Sequence, residues 1–538
     1  MMHARTCWMA ALLLVSISAC ADPSPAGGPP DSDDDSSSSA AAKPTRDAGK
    51  DASRAAIDAG PGAPRHTDGG ARDGDADARH TSADANASTD AGPAQEPRDD
   101  AGDPASGMVD QMLPTALHDT GVVALFPAPM GRDLCADPPL SLTFSGAPTL
   151  GTSGKLQVFD TAKPGAAVAT VDLSRNSITD VRGGVTFTME RPAYVAGNAA
   201  MFYLPSHALS AGHSYFVHLD KGTVRGPAGG EPAITDDTTW SFRTAASTSS
   251  AGATRKVALD GSGDFCSLQG ALDAISTGTI EIGRGTYHGI VYAKSKRDLT
   301  IHGADRKATI LAGSNNERMN SGTSTRSLIG LDASSGITFA NLTIQNLTPQ
   351  DGSQAEALRL QSCDRCIVRD ADILSLQDTL LWSGRIYAQN CYIAGNVDFI
   401  WGTGAAFFDH CEIKTLGRAG FNVQSRNGAS TYGYVFVDSK LTSDPGVTGN
   451  FLGRVDASAY PASHVAYIDC EMGKHINPVG WQITGFDGGS LRFWEYHSKD
   501  PSGAAIDVSK RLSSSKQLTD DVAAQMRDPS IVLGGWSP

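Results

Sequence analysis

The chain repeats a short four-residue frame, which consists of an Asp, Asn or His, two variable residues, and then an Ile, Leu or Met. The gaps between successive copies are 43, 29, 20, 20, 28 and 31 residues, and the copies begin at Asp298, Asn341, Asp370, Asn390, His410, Asp438 and Asp469. Repeats of this length are typical of stacked supersecondary units. These repeats are too short for a pair of helices, and they are rich in alternating apolar and polar residues. We therefore predict a parallel β-helix with one coil per repeat, in which the longer gaps hold loops.

Two aspartates are separated by the same distance as the shortest repeat, because Asp378 and Asp398 lie 20 residues apart. In a β-helix, residues one coil apart lie above each other at a strand spacing of roughly 4.8 Å. We therefore expect the two carboxyl groups to be neighbours on adjacent coils. Neighbouring carboxyl groups do not both ionise easily, so their pKa values separate into those of an acid and a base.

Residues 1–20 have the pattern of an export signal, with Arg5 near the start, an apolar run over 10–17 and small residues before Cys20. The run is too short to span a bilayer. The pattern is typical of a bacterial lipoprotein signal, in which Cys20 becomes the lipidated first residue of the mature chain. An ordinary signal peptide cleaved near the same place is the alternative. We predict an exported protein that Cys20 anchors to the cell envelope, at the outer membrane or the cell surface.

Residues 21–108 are predicted to form a disordered tether. Residues 21–107 lack Phe, Trp, Tyr, Leu and Val, and they carry 18 acidic and 8 basic residues. Such a stretch does not bury enough apolar surface to offset the entropy cost of ordering. Most of the net charge of −15 therefore belongs to the tether and says little about the ligand of the protein.

Residues 109–246 show short apolar alternations broken by Gly and Pro, which predicts a β-sandwich. The expected strands include 140–144, 156–159, 201–204, 215–219 and 239–242. The segments 140–146, 204–215 and 239–244 resemble bacterial Ig-like domains of surface proteins. This region holds no catalytic constellation, so we expect it to be a spacer, with glycan binding as the alternative.

The cysteines are consistent with export but predict no complete disulfide pattern. Cys391, Cys411 and Cys470 occupy the same position of the frame, which predicts buried thiols stacked inside the coils. Cys363 and Cys366 form a CxxC motif without a second pair at zinc spacing. We expect either a local disulfide or two free thiols there, and we predict no metal site.

The region 254–538 offers groups that suit ester hydrolysis, which needs a nucleophile, a proton donor and donors for an oxyanion. It contains no Gly-x-Ser-x-Gly elbow, but it does contain the pair Asp378 and Asp398. The amides of Gln354 and Gln377 suit an oxyanion because they donate hydrogen bonds without a titrating charge. Arg454 is expected to keep one carboxylate ionised through a bidentate pair, while the unpaired partner stays protonated as the acid. The alternative is that these residues only cap turns between coils.

Several ordered motifs in 254–538 resemble those of the pectin methylesterases, which are carbohydrate esterases of family 8. The motifs are 257–265, 285–287, Gln354-Ala-Glu-Ala-Leu358, Leu376-Gln-Asp-Thr-Leu380, Val397-Asp-Phe-Ile-Trp-Gly402, Leu452-Gly-Arg454, 475–481 and 493–496. The resemblance implies an all-β chain whose catalytic domain is a right-handed parallel β-helix. It also implies site roles without a cofactor: Asp398 as nucleophile, Asp378 as acid and then base, Gln377 and Gln354 as oxyanion donors, and Arg454 as the partner of Asp398.

The chain departs from the family at the arginine motif. Members usually follow the arginine with Pro-Trp, whereas here Val455 and Asp456 follow Arg454. The usual stacking tryptophan is therefore missing, and Asp456 adds a negative charge beside a substrate that would itself be acidic. Trp401 and Trp382 are candidates for a replacement aromatic face, or alternatively core residues, and we include both with Asp456 among the candidate substrate contacts.

We predict a monomeric, lipid-anchored esterase that demethylates pectin-like homogalacturonan and binds no nucleic acid. Three alternatives remain open: an esterase for a non-pectin ester, an enzyme that cleaves the polysaccharide backbone, and a non-catalytic glycan-binding surface protein built on an esterase scaffold.

Overall fold

The computed structural model describes residues 113–246, 253–349, 353–485 and 488–538. The predictions for the signal at 1–20, for Cys20 and for the tether at 21–108 lie outside the described residues. Within those residues, none of the helices combines the length and the apolar character needed to cross a bilayer.

Residues 113–246 fold into two main sheets that share one apolar core, and all five segments expected to be strands overlap observed ones. A 3₁₀ helix spans Thr115–Thr120. The first sheet contains, in order, Val122–Phe126, Leu140–Phe144, Ala199–Phe202 and Ala193–Ala196. The second contains Gly131–Leu134, Ser241–Thr244, Ser214–Leu219, Lys155–Asp160 and Ala167–Asp172. Two further pairs are Thr149–Leu150 with Val224–Arg225, and Ser177–Arg182 with Val185–Glu190. The likeness to Ig domains stays a prediction.

Residues 254–538 form a right-handed parallel β-helix, which confirms the predicted fold class. Its strands form three faces, named here the site face, the middle face and the third face. The site face contains Val291–Lys294, Ile329–Asp332, Leu358–Arg369, Leu380–Gln389, Ile400–Gly402, Phe421–Ser425, Phe451–Asp456 and Trp481–Thr484. The middle face contains Thr254–Val257, Gly278–Ile282, Arg297–Gly303, Ser335–Ala340, the ends of Leu358–Arg369 and Leu380–Gln389, Ala405–Asp409, Tyr434–Val437, His464–Ile468, Arg492–Tyr496 and Lys516–Gln517. The third face contains Gly285–His288, Thr309–Gly313, Thr343–Asn346, Asp372–Leu374, Tyr392–Gly395, Glu412–Thr415, Lys440–Ser443 and Glu471–Met472.

The repeated frame marks the corner at which the chain turns into the third face. Its first residue has a positive φ, between 48° and 57°, in the six copies from Asn341 to Asp469. Asp and Asn tolerate this left-handed conformation better than most residues do. The fourth residue then points into the core, where Ile393 and Ile413 are fully buried. Asp298 also has a positive φ, of 46°, but its copy of the frame lies in the middle-face strand Arg297–Gly303, which pairs with Ser335–Ala340.

Cysteine side chains fill the interior and also join the two folded regions. Cys391, Cys411 and Cys470 are buried free thiols, as expected from their shared frame position, and Cys363 and Cys366 form a local disulfide. A second disulfide joins Cys135 of the sandwich to Cys266 of the β-helix, 131 residues further along the chain. No sequence pattern indicates this pairing, since neither cysteine lies in a repeat.

Apolar packing reinforces the disulfide between the two regions. Phe187 and Met189, from the strand Val185–Glu190, pack against Ile290 and Tyr292 of the first coils. The side-chain amide of Asn320 also accepts from the backbone N–H of Thr188 at 2.8 Å and donates to the carbonyl oxygen of Thr188 at 3.1 Å. The sandwich is therefore seated on the N-terminal end of the β-helix.

Three helices complete the described fold. Leu268–Ala274 packs onto the core of the first coils, and its N-cap is Ser267. Asp520–Met526 and Pro529–Val532 cover the outer surface of the middle face through a separate apolar cluster. Leu268–Ala274 also reaches the first strand of the site face, because the side chain of Gln269 donates to the carbonyl oxygen of Tyr292 at 3.1 Å and accepts from its backbone N–H at 2.8 Å.

Candidate active site

Asp378 and Asp398 lie at equivalent corners of consecutive coils, where the chain passes from the third face to the site face. Gln377 and Val397 form a parallel bridge, and the backbone N–H of Asp378 donates to the carbonyl oxygen of Val397 at 3.1 Å. Both aspartates have a positive φ, 65° and 47°, so the same backbone turn directs both side chains. Both are also buried, at 7% and 4% exposure. The stacked pair expected from the 20-residue spacing is therefore present.

Arg454 holds the carboxylate of Asp398 from the strand Phe451–Asp456. Its Nε donates to both carboxylate oxygens at 2.9 Å, and Nη2 makes a further contact with Oδ2. The guanidinium carbon lies 4.8 Å from the centre of the Phe421 ring, which restricts the arginine from its other side. A guanidinium paired in this way favours the charged form of a carboxylate, so the contact with Arg454 favours the ionised form of Asp398.

Asp378 has a different environment, which includes two residues that the sequence reasoning missed. Arg326 donates from Nη2 to Oδ2 of Asp378 at 2.9 Å and also pairs with the buried Glu356. Burial raises the pKa of Asp378 well above its usual range; Arg326 opposes this shift, whereas Glu356 and Asp398 add to it. The expectation that Asp378 stays protonated agrees with this balance, but the expectation that it is unpaired is wrong.

The sequence offered only a partial signal for these two residues. Glu356 lies in the motif that starts at Gln354, between Ala355 and Ala357. A charged residue in such an apolar stretch is unusual, because charged side chains are rarely buried without a partner. Arg326 lies in a loop without periodicity, and its contacts reach 30 and 52 residues along the chain. Such contacts depend on the coil stacking and are not visible in a local pattern.

Gln354 and Gln377 belong to adjacent coils beside the aspartates, and both are half-buried. The backbone N–H of Ala355 donates to the carbonyl oxygen of Gln377 at 3.2 Å, which ties the two positions together. Oε1 of Gln354 accepts a hydrogen bond from Ser353 at 3.2 Å. Neither side-chain NH₂ group has an acceptor among the described residues, so both remain available to a ligand oxygen.

The structure separates the two candidate tryptophans. Trp401, in Ile400–Gly402, lies next to the site with the Arg426 guanidinium 4.8 Å and that of Arg326 5.6 Å from its ring. Trp382 is fully buried and its ring stacks on Phe408 at a centroid distance of 5.4 Å. The interpretation of Trp382 as a substrate contact is therefore wrong, because it is a core residue.

Asp456 is exposed at the end of the strand that carries Arg454. Its carboxylate accepts the backbone N–H of Ser458 at 2.9 Å, as a turn-capping aspartate does. A role for Asp456 in contacting substrate stays a prediction.

Comparison with known proteins identifies the family of the chain. The sequence model of the Pectinesterase family matches residues 254–528. The chain is 31% identical over 296 residues to pectinesterase 31 of Arabidopsis thaliana, which covers 52% of this chain and 91% of that protein. It is 28% identical over 291 residues to a probable pectinesterase A of Neosartorya fischeri, covering 51% of this chain and 86% of that protein.

Solved structures of similar proteins include two pectin methylesterases. The enzyme from carrot has 27% identity and a TM-score of 0.48, covering 53% of this chain and 95% of that one. The enzyme from Yersinia enterocolitica has 24% identity and a TM-score of 0.45, covering 51% and 100%. From the family match and the sequence relatives, we conclude that this chain belongs to the pectinesterase family and is a carboxylic ester hydrolase.

Proposed function

We propose that the protein is a pectin methylesterase that hydrolyses the methyl esters of homogalacturonan to pectate and methanol. The observation that carries this proposal is the stacking of Asp378 on Asp398, together with the bidentate contact of Arg454 with Asp398. The pair thus combines a carboxylate held ionised with a neighbour whose burial favours the protonated form. The names of the sequence relatives support the choice of a pectin substrate.

In the first half of the reaction, an oxygen of Asp398 attacks the carbonyl carbon of the methyl ester. The negative charge of the tetrahedral intermediate lies on the former carbonyl oxygen, where the NH₂ groups of Gln377 and Gln354 donate to it. When the intermediate collapses, the bond to the methoxy oxygen breaks and Asp378 gives its proton to that oxygen. Methanol leaves, and an acyl group remains bound to Asp398 as an anhydride.

In the second half, Asp378 is ionised and acts as a base. It takes a proton from a water molecule whose oxygen attacks the acyl carbon. The bond to Asp398 then breaks, which restores both aspartates and releases the galacturonic acid group, whose proton passes to the solvent. Arg454 stays on Asp398 throughout and stabilises it as the leaving carboxylate.

Trp401 and Asp456 complete the proposed substrate contacts. Trp401 is 7% exposed and lies against the guanidinium groups of Arg326 and Arg426, and we propose that its exposed edge forms part of the wall beside the aspartates. Because the chain has no tryptophan directly after Arg454, we propose that the sugar packs against this wall. Asp456, two residues after Arg454 in the same strand, would disfavour a free carboxylate near it and thus favour a methylated sugar there.

Methanol release from methylated pectin by the full-length protein tests this proposal. We expect activity in the wild type and a loss of at least about a thousandfold in Asp398→Asn, since the amide is no nucleophile. Asp438→Asn is the matched control, because Asp438 is also an aspartate with positive φ at a coil corner but is exposed on another edge.

The assay also separates the alternatives. New reducing ends or unsaturated products, in place of methanol, would show cleavage of the polysaccharide backbone. A wild type that binds pectin but releases no methanol from it, or from other ester substrates across the pH range, would favour the glycan-binding function.

We propose further that the protein is exported and anchored through a lipid on Cys20, with the sandwich as a spacer between the envelope and the esterase. The sequence pattern before Cys20 supports the anchor. Mass spectrometry of the mature N-terminus tests it: an unmodified N-terminus would contradict the anchor.

A further inference from the structure

Arg326 lies directly behind the proposed acid and has three acidic partners. The guanidinium is 2% exposed. Its Nε donates to both oxygens of Glu356, at 3.0 and 3.1 Å, and Nη2 donates to Glu356 at 2.9 Å. Nη2 also donates to Oδ2 of Asp378 at 2.9 Å, and Nη1 contacts Glu317 at 3.2 Å. Glu356 is the dominant partner, since it is fully buried and takes two of the three nitrogens.

Charged groups of both signs surround Asp378. Asp378 is influenced by Arg326 and Arg426, which favour its ionised form, and by Glu356 and Asp398, which oppose it. Asp398 has Arg454 as its partner, and Arg326 has Glu317 as a second acidic partner. Among the described residues, the positive groups named here are Arg326, Arg426 and Arg454, and the negative ones are Glu317, Glu356 and Asp398.

A lone guanidinium in this place would ionise Asp378, because an arginine within hydrogen-bond distance favours a carboxylate strongly. The proposed mechanism needs the opposite state in its first step, since Asp378 must give a proton to methanol. Glu356 resolves this conflict by neutralising Arg326 while leaving its Nη2 hydrogen bond to Oδ2 in place. That bond occupies Oδ2, so the proton of the acid lies on Oδ1.

We propose that Arg326 and Glu356 are positioning residues of the esterase, which together orient Asp378 through its Oδ2 atom without adding the net charge that would ionise it. This inference rests on the proposed function, in which Asp378 is the acid. Neither residue touches the reacting atoms.

The pH profile of methanol release by Glu356→Gln tests the proposal. Glutamine keeps the shape and one acceptor oxygen, but it removes the charge that neutralises Arg326. The pKa of Asp378 should then fall, so protonated acid is lost at lower pH and the alkaline limb of kcat moves down by about one pH unit or more. At pH values above the limb, kcat of Glu356→Gln should be lower than that of the wild type by about tenfold for each pH unit by which the limb has moved. At pH values well below the limb, kcat of the variant should approach that of the wild type.

Two further variants separate charge from a general structural effect. Glu317→Gln also removes a negative charge that pairs with Arg326. Because Glu317 is 29% exposed, we expect a smaller shift of the alkaline limb than in Glu356→Gln. The double variant Arg326→Gln with Glu356→Gln removes both charges and should leave the alkaline limb within about half a pH unit of the wild type. Its kcat should be lower, because an amide orients Oδ2 less well. If Glu356→Gln alone does not fold, the pH profile of methanol release by the double variant provides the test.

A measurement without turnover separates this inference from the proposed function. In protein carrying ¹³C-labelled aspartate, the Asp378 carboxyl resonance, assigned with Asp378→Asn, should titrate at lower pH in Glu356→Gln than in the wild type. A shifted resonance in a protein that releases no methanol would contradict the proposed function and support the positioning role. An active protein whose pH profile and resonance are both unchanged in Glu356→Gln, or equally shifted in Glu317→Gln, would overturn the inference.

Discussion

At the scale of single residues, the site gives two chemically identical side chains different environments. Asp398 is bound by a bidentate guanidinium, whereas Asp378 shares one nitrogen of a guanidinium that Glu356 already occupies. The number and geometry of the donors therefore distinguish the proposed nucleophile from the proposed acid, and the proximity of an arginine alone does not. A lysine in place of either arginine would supply a charge but not this geometry.

The variant Arg454→Lys tests this distinction. Lysine is a point charge and does not form the bidentate contact with Asp398. Losing one charged hydrogen bond costs about 1.5–3 kcal/mol, so we expect kcat for methanol release to fall about tenfold to a hundredfold with a smaller change in KM.

Arg385→Lys is the matched control, since Arg385 also binds an aspartate through two nitrogens, at 2.5 and 2.8 Å, but on the middle face. An equal loss of activity in both variants would contradict the role of Arg454.

At the scale of the strand and its corner, the left-handed residue that starts each frame fixes the direction of the following strand. Asn390 is a clear example, because it is exposed, has a φ of 51°, and donates to Asp370 of the preceding coil at 2.6 Å. Its stability contribution comes from backbone conformation and this one contact, with no apolar burial involved.

We expect Asn390→Ala to lower the free energy of unfolding by about 1–2 kcal/mol, since alanine is strained at positive φ. Asn390→Gly loses the same hydrogen bond but tolerates the conformation, so it should be more stable than the alanine variant by about 1 kcal/mol. Chemical denaturation of both variants measures the difference. An alanine variant as stable as the glycine variant would show that the corner conformation is not limiting.

The same scale explains how far the sequence predicts this fold. The frame and the 20-residue spacing predicted the stacked coils and the neighbouring aspartates, because hydrogen bonding between strands repeats at a constant distance along the stack. The alternation of strand residues also places Trp382 in the core, on the same side as the buried Leu380, so its burial was predictable from the sequence. Arg326 was not predictable in this way, since a loop side chain reaches its partners only after the coils have stacked.

At the scale of the whole molecule, one covalent link joins two regions that the sequence suggested to be separate. The disulfide between Cys135 and Cys266 lies where the sandwich meets the first coil. It acts together with the packing of Phe187 and Met189 on Ile290 and Tyr292. The sandwich is thus a structural part of the described molecule as well as the proposed spacer.

Replacing Cys135 and Cys266 with serine should lower the free energy of unfolding by about 2–5 kcal/mol, because this disulfide closes a loop of 131 residues. Replacing Cys363 and Cys366, whose disulfide spans only 3 residues, should cost less. Thermal unfolding of both variants under oxidising conditions provides the measurement. A larger loss in the second variant would contradict the proposed importance of the link between the regions.

The placement of the two aspartates on consecutive coils bears on how such an enzyme diversifies. Their separation is set by the backbone pairing of Gln377 with Val397, and the loops contribute nothing to it. Insertions elsewhere in the stack can therefore change the surface around the site, and with it the polymers that bind there, while Asp378 and Asp398 keep their spacing. Directed evolution of substrate preference in this scaffold is best aimed at the connecting segments, because substitutions there cost little stability and leave the catalytic geometry unchanged.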